Sequence, residues 1–129
     1  MTSILKMMVG AIAVVAFVSC KKDKEDPTIS INQPADMETY SSGDELHVEV
    51  VFEDDRALKS YDIHIGNETG VYDAEFGFQF AGDISGKTYS FHEHFIVPDS
   101  IEEAYYLHFQ VTDEEGKSIT EKRHLHFTP

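Results

Sequence analysis

The sequence predicts an all-β protein built as a two-sheet antiparallel sandwich of about seven strands. Three observations carry that prediction. From Pro27 onward apolar residues recur with period two, the mark of strands buried on one face. No stretch beyond residue 20 shows the 3.6-residue period of an amphipathic helix. Gly, Pro, Asn and Asp clusters punctuate the apolar runs at short intervals, as turns between strands do.

The elements follow in order. Thr28-Ile29-Ser30-Ile31 opens a strand over Thr28–Asn32, stopped by Gln33-Pro34. Leu46, Val48, Val50 and Phe52 alternate with His47, Glu49, Val51 and Glu53, giving a half-buried strand over Glu45–Glu53. Tyr61, Ile63 and Ile65 alternate with Asp62 and His64 over Ser60–Gly66. Tyr72, Phe76, Phe78 and Phe80 share a parity, so an edge strand is expected over Val71–Phe80, although glycines interrupt it. Tyr89, Phe91, Phe95 and Val97 define Thr88–Val97, with Glu93 breaking the apolar series. Tyr105, Leu107, Phe109 and Val111 define Ala104–Thr112, and after the turn Asp113-Glu114-Glu115-Gly116, Ile119, Leu125 and Phe127 mark Ser118–Thr128. Strands of this length and spacing over about 100 residues make an Ig-like sandwich, without the Cys-Trp-Cys core of antibody domains.

The first 26 residues are of another kind. Lys6 precedes Met7–Val18, which carries no charge, and the run ends at Ser19-Cys20, the chain's one cysteine. A membrane span needs roughly 20 apolar residues, so the shorter run reads as a signal peptide over residues 1–19. The Ser19-Cys20 junction resembles the lipobox of bacterial lipoproteins, although Phe17 stands where leucine is usual. That resemblance implies cleavage before Cys20 and acylation of its sulfur, hence attachment to a membrane without spanning it. The alternative is an ordinary secretory signal followed by a free cysteine. Residues 20–26 form the lipidated cysteine and a charged tether, Lys21 to Asp26, too polar to bury anything. A lysine-then-acidic run after such a cysteine also resembles export signals of surface lipoproteins, which leaves the periplasmic and exterior faces of a Gram-negative outer membrane both open. Residues 27–129 are expected to form one domain.

A second resemblance covers most of the mature chain. Pro27-Thr28-Ile29 after a charged tether, Phe52-Glu53-Asp54-Asp55 running into Leu58-Lys59-Ser60-Tyr61, and Val111-Thr112-Asp113 with Gly116 are similar to the small bacterial lipoproteins of domain-of-unknown-function family 4625. The resemblance implies a lipid-anchored Ig-like domain and supplies no activity.

Charge narrows the partners. Lys and Arg number 10 against 24 Asp and Glu, a net charge of −14. Removing residues 1–19, which contain Lys6 and no acid, takes it to −15. Such a polyanion has no affinity for nucleic acid and suits cationic ligands or divalent metals. The expected partners are the membrane, through Cys20, and a divalent metal or an envelope protein.

Seven histidines are present, and each falls on the outward parity of its strand. In an Ig-like sandwich His64, His108, His124 and His126 would share one sheet face, and His47, His92 and His94 the other. His-x-His on a strand sets two imidazoles on one face about 6.5–7 Å apart. A third from the neighbouring strand makes a Zn²⁺ or Cu²⁺ site. Two sites are therefore expected, His92/His94 with His47, and His124/His126 with His108 and His64, with Glu49, Glu93 and Asp62 as candidate oxygen donors. The competing expectation is that these are exposed polar residues with no ligand, or groups that associate in a pH-dependent way.

Other chemistry has weaker signals. Asp54, Asp55, Asp113, Glu114 and Glu115 fall at one tip of the sandwich, where carboxylates could hold Ca²⁺. They also suit ordinary turns, and no twelve-residue calcium loop is present. Tyr40, Tyr72, Tyr105 and Tyr106 are candidate sugar-stacking rings, in a chain without tryptophan. No nucleophile elbow, zincin helix or phosphate loop occurs, so the expected function is non-catalytic binding at the cell envelope. A structural or protein-interaction accessory is the alternative, and a carbohydrate-binding module a remoter one.

Overall fold

The computed structural model describes residues 25–99 and 104–129. The signal peptide, Cys20 and the first part of the tether lie outside the described residues. Among the described residues there are eight strands: β1 (Thr28–Gln33), β2 (Glu38–Ser41), β3 (Glu45–Glu53), β4 (Leu58–Gly66), β5 (Gln79–Asp83), β6 (Thr88–Ile96), β7 (Ala104–Asp113) and β8 (Ser118–Thr128). They form a three-stranded sheet in the order β1-β3-β6 and a five-stranded sheet in the order β2-β8-β7-β4-β5. Among the described residues no helix is long and apolar enough to cross a membrane.

Period-two patterning builds the core directly. Leu46, Val48, Val50 and Phe52 of β3 are fully buried and face Leu107, Phe109 and Val111 of β7 and Leu125 of β8 across the sandwich. A core residue left on the solvent face would forfeit roughly 1.5–3 kcal/mol, so each strand's register is fixed by its apolar set. In β4 the inward parity changes, from Leu58 to Tyr61, Ile63 and Ile65. The strand absorbs this with a register shift between Leu58 and Ser60 where it pairs with β7. Among the described residues, every buried core residue lies between positions 46 and 127.

Two expectations need correction. β2 was not anticipated: Glu38–Ser41 has only four residues and one apolar side chain, Tyr40, and is held by parallel pairing to β8. The chain thus crosses from one sheet to the other after β1.

The expected strand Val71–Phe80 is the other. Only its end is strand, beginning at Gln79. Tyr72 makes a single bridge to Gly66 and is 40% exposed, whereas Phe76 and Phe78 are core residues at 2% and 1%. Between them a turn intervenes: Asp73 accepts the Phe76 amide through Oδ1 and the Gly77 amide through its backbone carbonyl. Gly77 sits at φ +80°, a left-handed conformation that glycine takes without Cβ strain. The shared parity of the aromatic residues was therefore a turn delivering two rings inward.

Candidate metal centre

Strand register decides which histidines meet. β3 and β6 run antiparallel with His47 directly opposite His94 and Glu49 opposite His92. The His47 and His94 rings stack 5.2 Å apart and 9° from parallel, and His92 lies 5.9 Å from His47 at 43°. Glu45, two residues before His47 and on the same face, reaches both rings. Its Oε1 lies 3.0 Å from His47 Nε2 and its Oε2 lies 2.7 Å from His94 Nδ1. One ligand atom from each of Glu45, His47 and His94 falls within 4.8 Å of the others, the spacing of a metal-ligating group.

The electrostatics of this group follow from the carboxylate between two rings. Hydrogen bonding to His94, and then to His47, holds the Glu45 carboxyl below its ordinary value. The same Glu45 contact raises the His94 imidazole above its ordinary value. Both groups are open to solvent, so these are local shifts in a high-dielectric setting. The donor set of two imidazole nitrogens and one carboxylate oxygen suits Zn²⁺ or Cu²⁺.

Glu45 is not among the acids expected from the sequence, Glu49, Glu93 and Asp62; of these, Asp62 meets His64 Nδ1 and none joins the converging group. The Glu45-x-His47 spacing is the same signal that singled out His92-x-His94, but only the β3–β6 register shows which carboxylate is in reach. Glu93 stands opposite Val48, on the inward parity and off the histidine face. Glu49 faces His92 and is not part of the converging group.

Among the described residues, His64, His108, His124 and His126 do not converge as one metal-ligating group. His64 is opposite His108, as expected, and their rings stack 5.1 Å apart. On β8, however, His124 is opposite Tyr106 and His126 opposite Ala104, while His108 faces Lys122. The face divides into two pairs, His64/His108 and His124/His126, with the Tyr106 ring between them, 6.2 Å from His108 and 4.6 Å from His124.

The first pair is already engaged. His64 Nδ1 meets Asp62 Oδ1 at 2.8 Å and its Nε2 meets the Gly70 carbonyl at 2.7 Å, so neither nitrogen is left for a metal. His108 Nε2 donates to the Asn67 carbonyl at 2.6 Å. These bonds hold down the loop after β4, which curls because Asn67 Oδ1 accepts from the Thr69 and Val71 amides. Burial under that loop pushes the His108 imidazole below its ordinary value, partly countered by the Asn67 bond. This pair is a loop clamp. Beside it lies an open groove of about 540 Å³ lined by Asp62, His108, Gln110, Glu121 and Lys122.

The expected calcium tip is used otherwise. Asp54 Oδ2 accepts the Arg56 and Ala57 amides, and Asp113 Oδ1 accepts the Glu115 and Lys117 amides. Both carboxylates are buried turn caps, at 8% and 2% exposure. Glu115 Oε2 lies 3.5 Å from Arg56. Among the described residues Asp54, Asp55, Asp113, Glu114 and Glu115 do not converge as a cation-binding group. Of the candidate sugar-stacking rings, Tyr105 is core at 8% exposure. Tyr106 spends a ring face on His124, 12° from parallel, and Tyr40 stacks on Phe127.

Two facing antiparallel sheets, with strand order β1-β3-β6 against β8-β7-β4-β5 and an added β2, define a fibronectin III-like or Ig-like sandwich domain. Solved structures share that fold. The fibronectin(III)-like modules of CbhA from Clostridium thermocellum match at TM-score 0.52 and 12% identity, covering 78% of this chain and 96% of theirs. A family 123 glycoside hydrolase from Clostridium perfringens matches at 0.55 and 14%, and an endo-beta-1,4-mannanase from Thermotoga petrophila at 0.52 and 10%. The shares of this chain are 80% and 90%, but only 27% and 23% of the two enzymes, so the likeness is to one domain of each. At these identities the likeness is one of fold alone. No curated protein matches the chain. The chain belongs to the family described as Domain of unknown function (DUF4625), which matches residues 18–128.

Proposed function

We propose that this is a lipid-anchored, non-catalytic binding domain of a Gram-negative cell envelope that takes up a divalent transition metal, Zn²⁺ or Cu²⁺, through Glu45, His47 and His94. The convergence of three donor atoms within 4.8 Å carries the reading. The donors stand on paired strands of a rigid sheet, so little ordering remains to be done when the ion enters. The anchor rests on the sequence, an apolar run ending at Cys20. In that arrangement the outer membrane, on its periplasmic or exterior face, is reached through acyl chains on the Cys20 sulfur. Thr28, just after the tether, pairs with Glu53, while Glu45 is at the other end of β3. The metal group therefore stands roughly 25 Å from the tethered end, at about 3.3 Å per strand residue.

Calorimetric titration of ZnCl₂ and CuCl₂ into residues 25–129 at pH 7.5 tests the metal. Binding of one ion at micromolar concentration is expected, and its loss in a His47→Ala, His94→Ala variant. Absence of heat in the unaltered domain, or heat that survives both substitutions, ends the metal reading. For the anchor, detergent-phase partitioning of the expressed full chain should depend on Cys20. Partitioning retained by Cys20→Ser ends it.

A second reading, an envelope interaction module without metal, is favoured by the fate of the opposite face. There histidine nitrogens clamp a loop, leaving an acidic groove beside Lys122 that suits a protein or small polar ligand.

A further inference from the structure

Three donors from one chain leave a tetrahedral zinc site one ligand short. The remaining histidine on this face, His92, stays outside the converging set, with its ring 5.9 Å from His47. It also stands on a free edge: β6 ends the three-stranded sheet, and among the described residues its strand partner is β3 alone. Such an edge is a template for another strand. We propose that a second copy of this chain completes the metal site by antiparallel pairing of β6 with β6 about Glu93, each copy supplying His92 to the ion held by Glu45, His47 and His94 of the other. This rests on the metal reading above and goes beyond it by naming the fourth ligand and the partner.

The register makes the arrangement specific. A two-fold axis at Glu93 sets residue 92 of each copy opposite residue 94 of the other. His92 and His94 both point outward, so the match falls on the histidine face. The result is a row of three imidazoles on adjacent strands: His47, His94, and His92 of the second copy. Directly opposed residues have Cβ atoms roughly 4.5–5.5 Å apart. The His47–His94 pair shows what that spacing gives, a ring separation of 5.2 Å. Glu45 then caps the row from one side, and the dimer holds two equivalent ions.

The same register explains why the ion is needed. It sets the two Glu93 side chains against each other on the opposite face, and like charges directly opposed are destabilising. A charge at inward parity on an edge strand is also a known block to strand pairing. Each copy is strongly acidic, at −14 for the whole sequence and −15 without residues 1–19, which adds a long-range repulsion. Without metal the edge is guarded, and with metal two shared ions offset the repulsion.

Light scattering on residues 25–129, with and without ZnCl₂, reads the mass, and calorimetry reads the zinc. The metal-free protein is expected to be monomeric, and zinc to double the mass at one ion per chain. His92→Ala should remain monomeric with zinc while still binding one ion, about tenfold or more weakly. Complementation is the sharper arm. The His92→Ala chain retains Glu45, His47 and His94, and the His94→Ala chain retains His92, so a mixture rebuilds one complete site. Zinc should produce dimer in the mixture and in neither variant alone. Zinc binding by the unaltered domain without any rise in mass overturns the shared site and leaves the metal reading standing. No zinc binding overturns both. A zinc dimer that persists in His92→Ala overturns the assignment of the fourth ligand.

Discussion

Phe76 offers the strongest test of how the core is closed. It lies in the segment after β4, outside any strand, yet is 2% exposed and contacts the rings of Phe95, Tyr105 and Phe127 at 5.6, 5.3 and 5.0 Å. Those partners belong to β6, β7 and β8, so this one ring bridges both sheets. Phe76→Ala removes roughly 150 Å² of buried apolar surface, worth about 4 kcal/mol at about 25 cal/mol per Å². That falls in the measured range of about 3–5 kcal/mol for such truncations, against a total stability of about 5–15 kcal/mol. Urea unfolding of residues 25–129, followed by far-UV circular dichroism, gives the readout. With a slope of about 2 kcal/mol per molar, the midpoint should fall by about 2 M. Tyr72→Ala, at a position 40% exposed in the same segment, is the control and should move the midpoint far less. A Phe76→Ala shift below about 0.5 M, or one equal to the control, would refute the claim that this segment plugs the sandwich.

Two further outcomes concern the histidine faces. Because Glu45 raises His94 and is itself lowered, their contact stabilises the fold most between the two ordinary values, 4.5 and 6.5. The His94 part is lost as pH rises through its elevated folded value, and the Glu45 part as pH falls through its depressed one. Glu45→Gln should return the His94 titration, followed by NMR of its ring protons, toward 6.5, and an unchanged titration would contradict the contact. His108→Ala should release the Asn67 carbonyl, at a cost of about 0.5–1.5 kcal/mol, and speed hydrogen exchange at the Gly70 and Val71 amides. Since the His108 value is lowered, its stabilising contribution is full above the ordinary value and lost as pH falls through the folded one. Exchange that is unaltered by the substitution, or insensitive to acid, would remove the clamp.

The sequence by itself determined a good deal. The period-two apolar set in Leu46–Phe52 and Tyr105–Val111 is enough to specify strands with one buried face, because any other register would expose a row of core side chains. The same alternation sent all seven histidines outward, and the sheet neighbours of β3, β4, β6 and β7 were legible from fold class. Tertiary structure decided what local pattern does not encode. β2 exists only because β8 offers it a parallel partner, and Phe76 and Phe78 reach the core through a turn that parity counts as strand. Above all, cross-strand register chose the metal group. Alternation says which face a side chain takes, while a shift of two residues along a neighbouring strand preserves the face and changes every partner. That freedom put Tyr106 and Lys122 where a third imidazole was expected, and set Glu45 between His47 and His94.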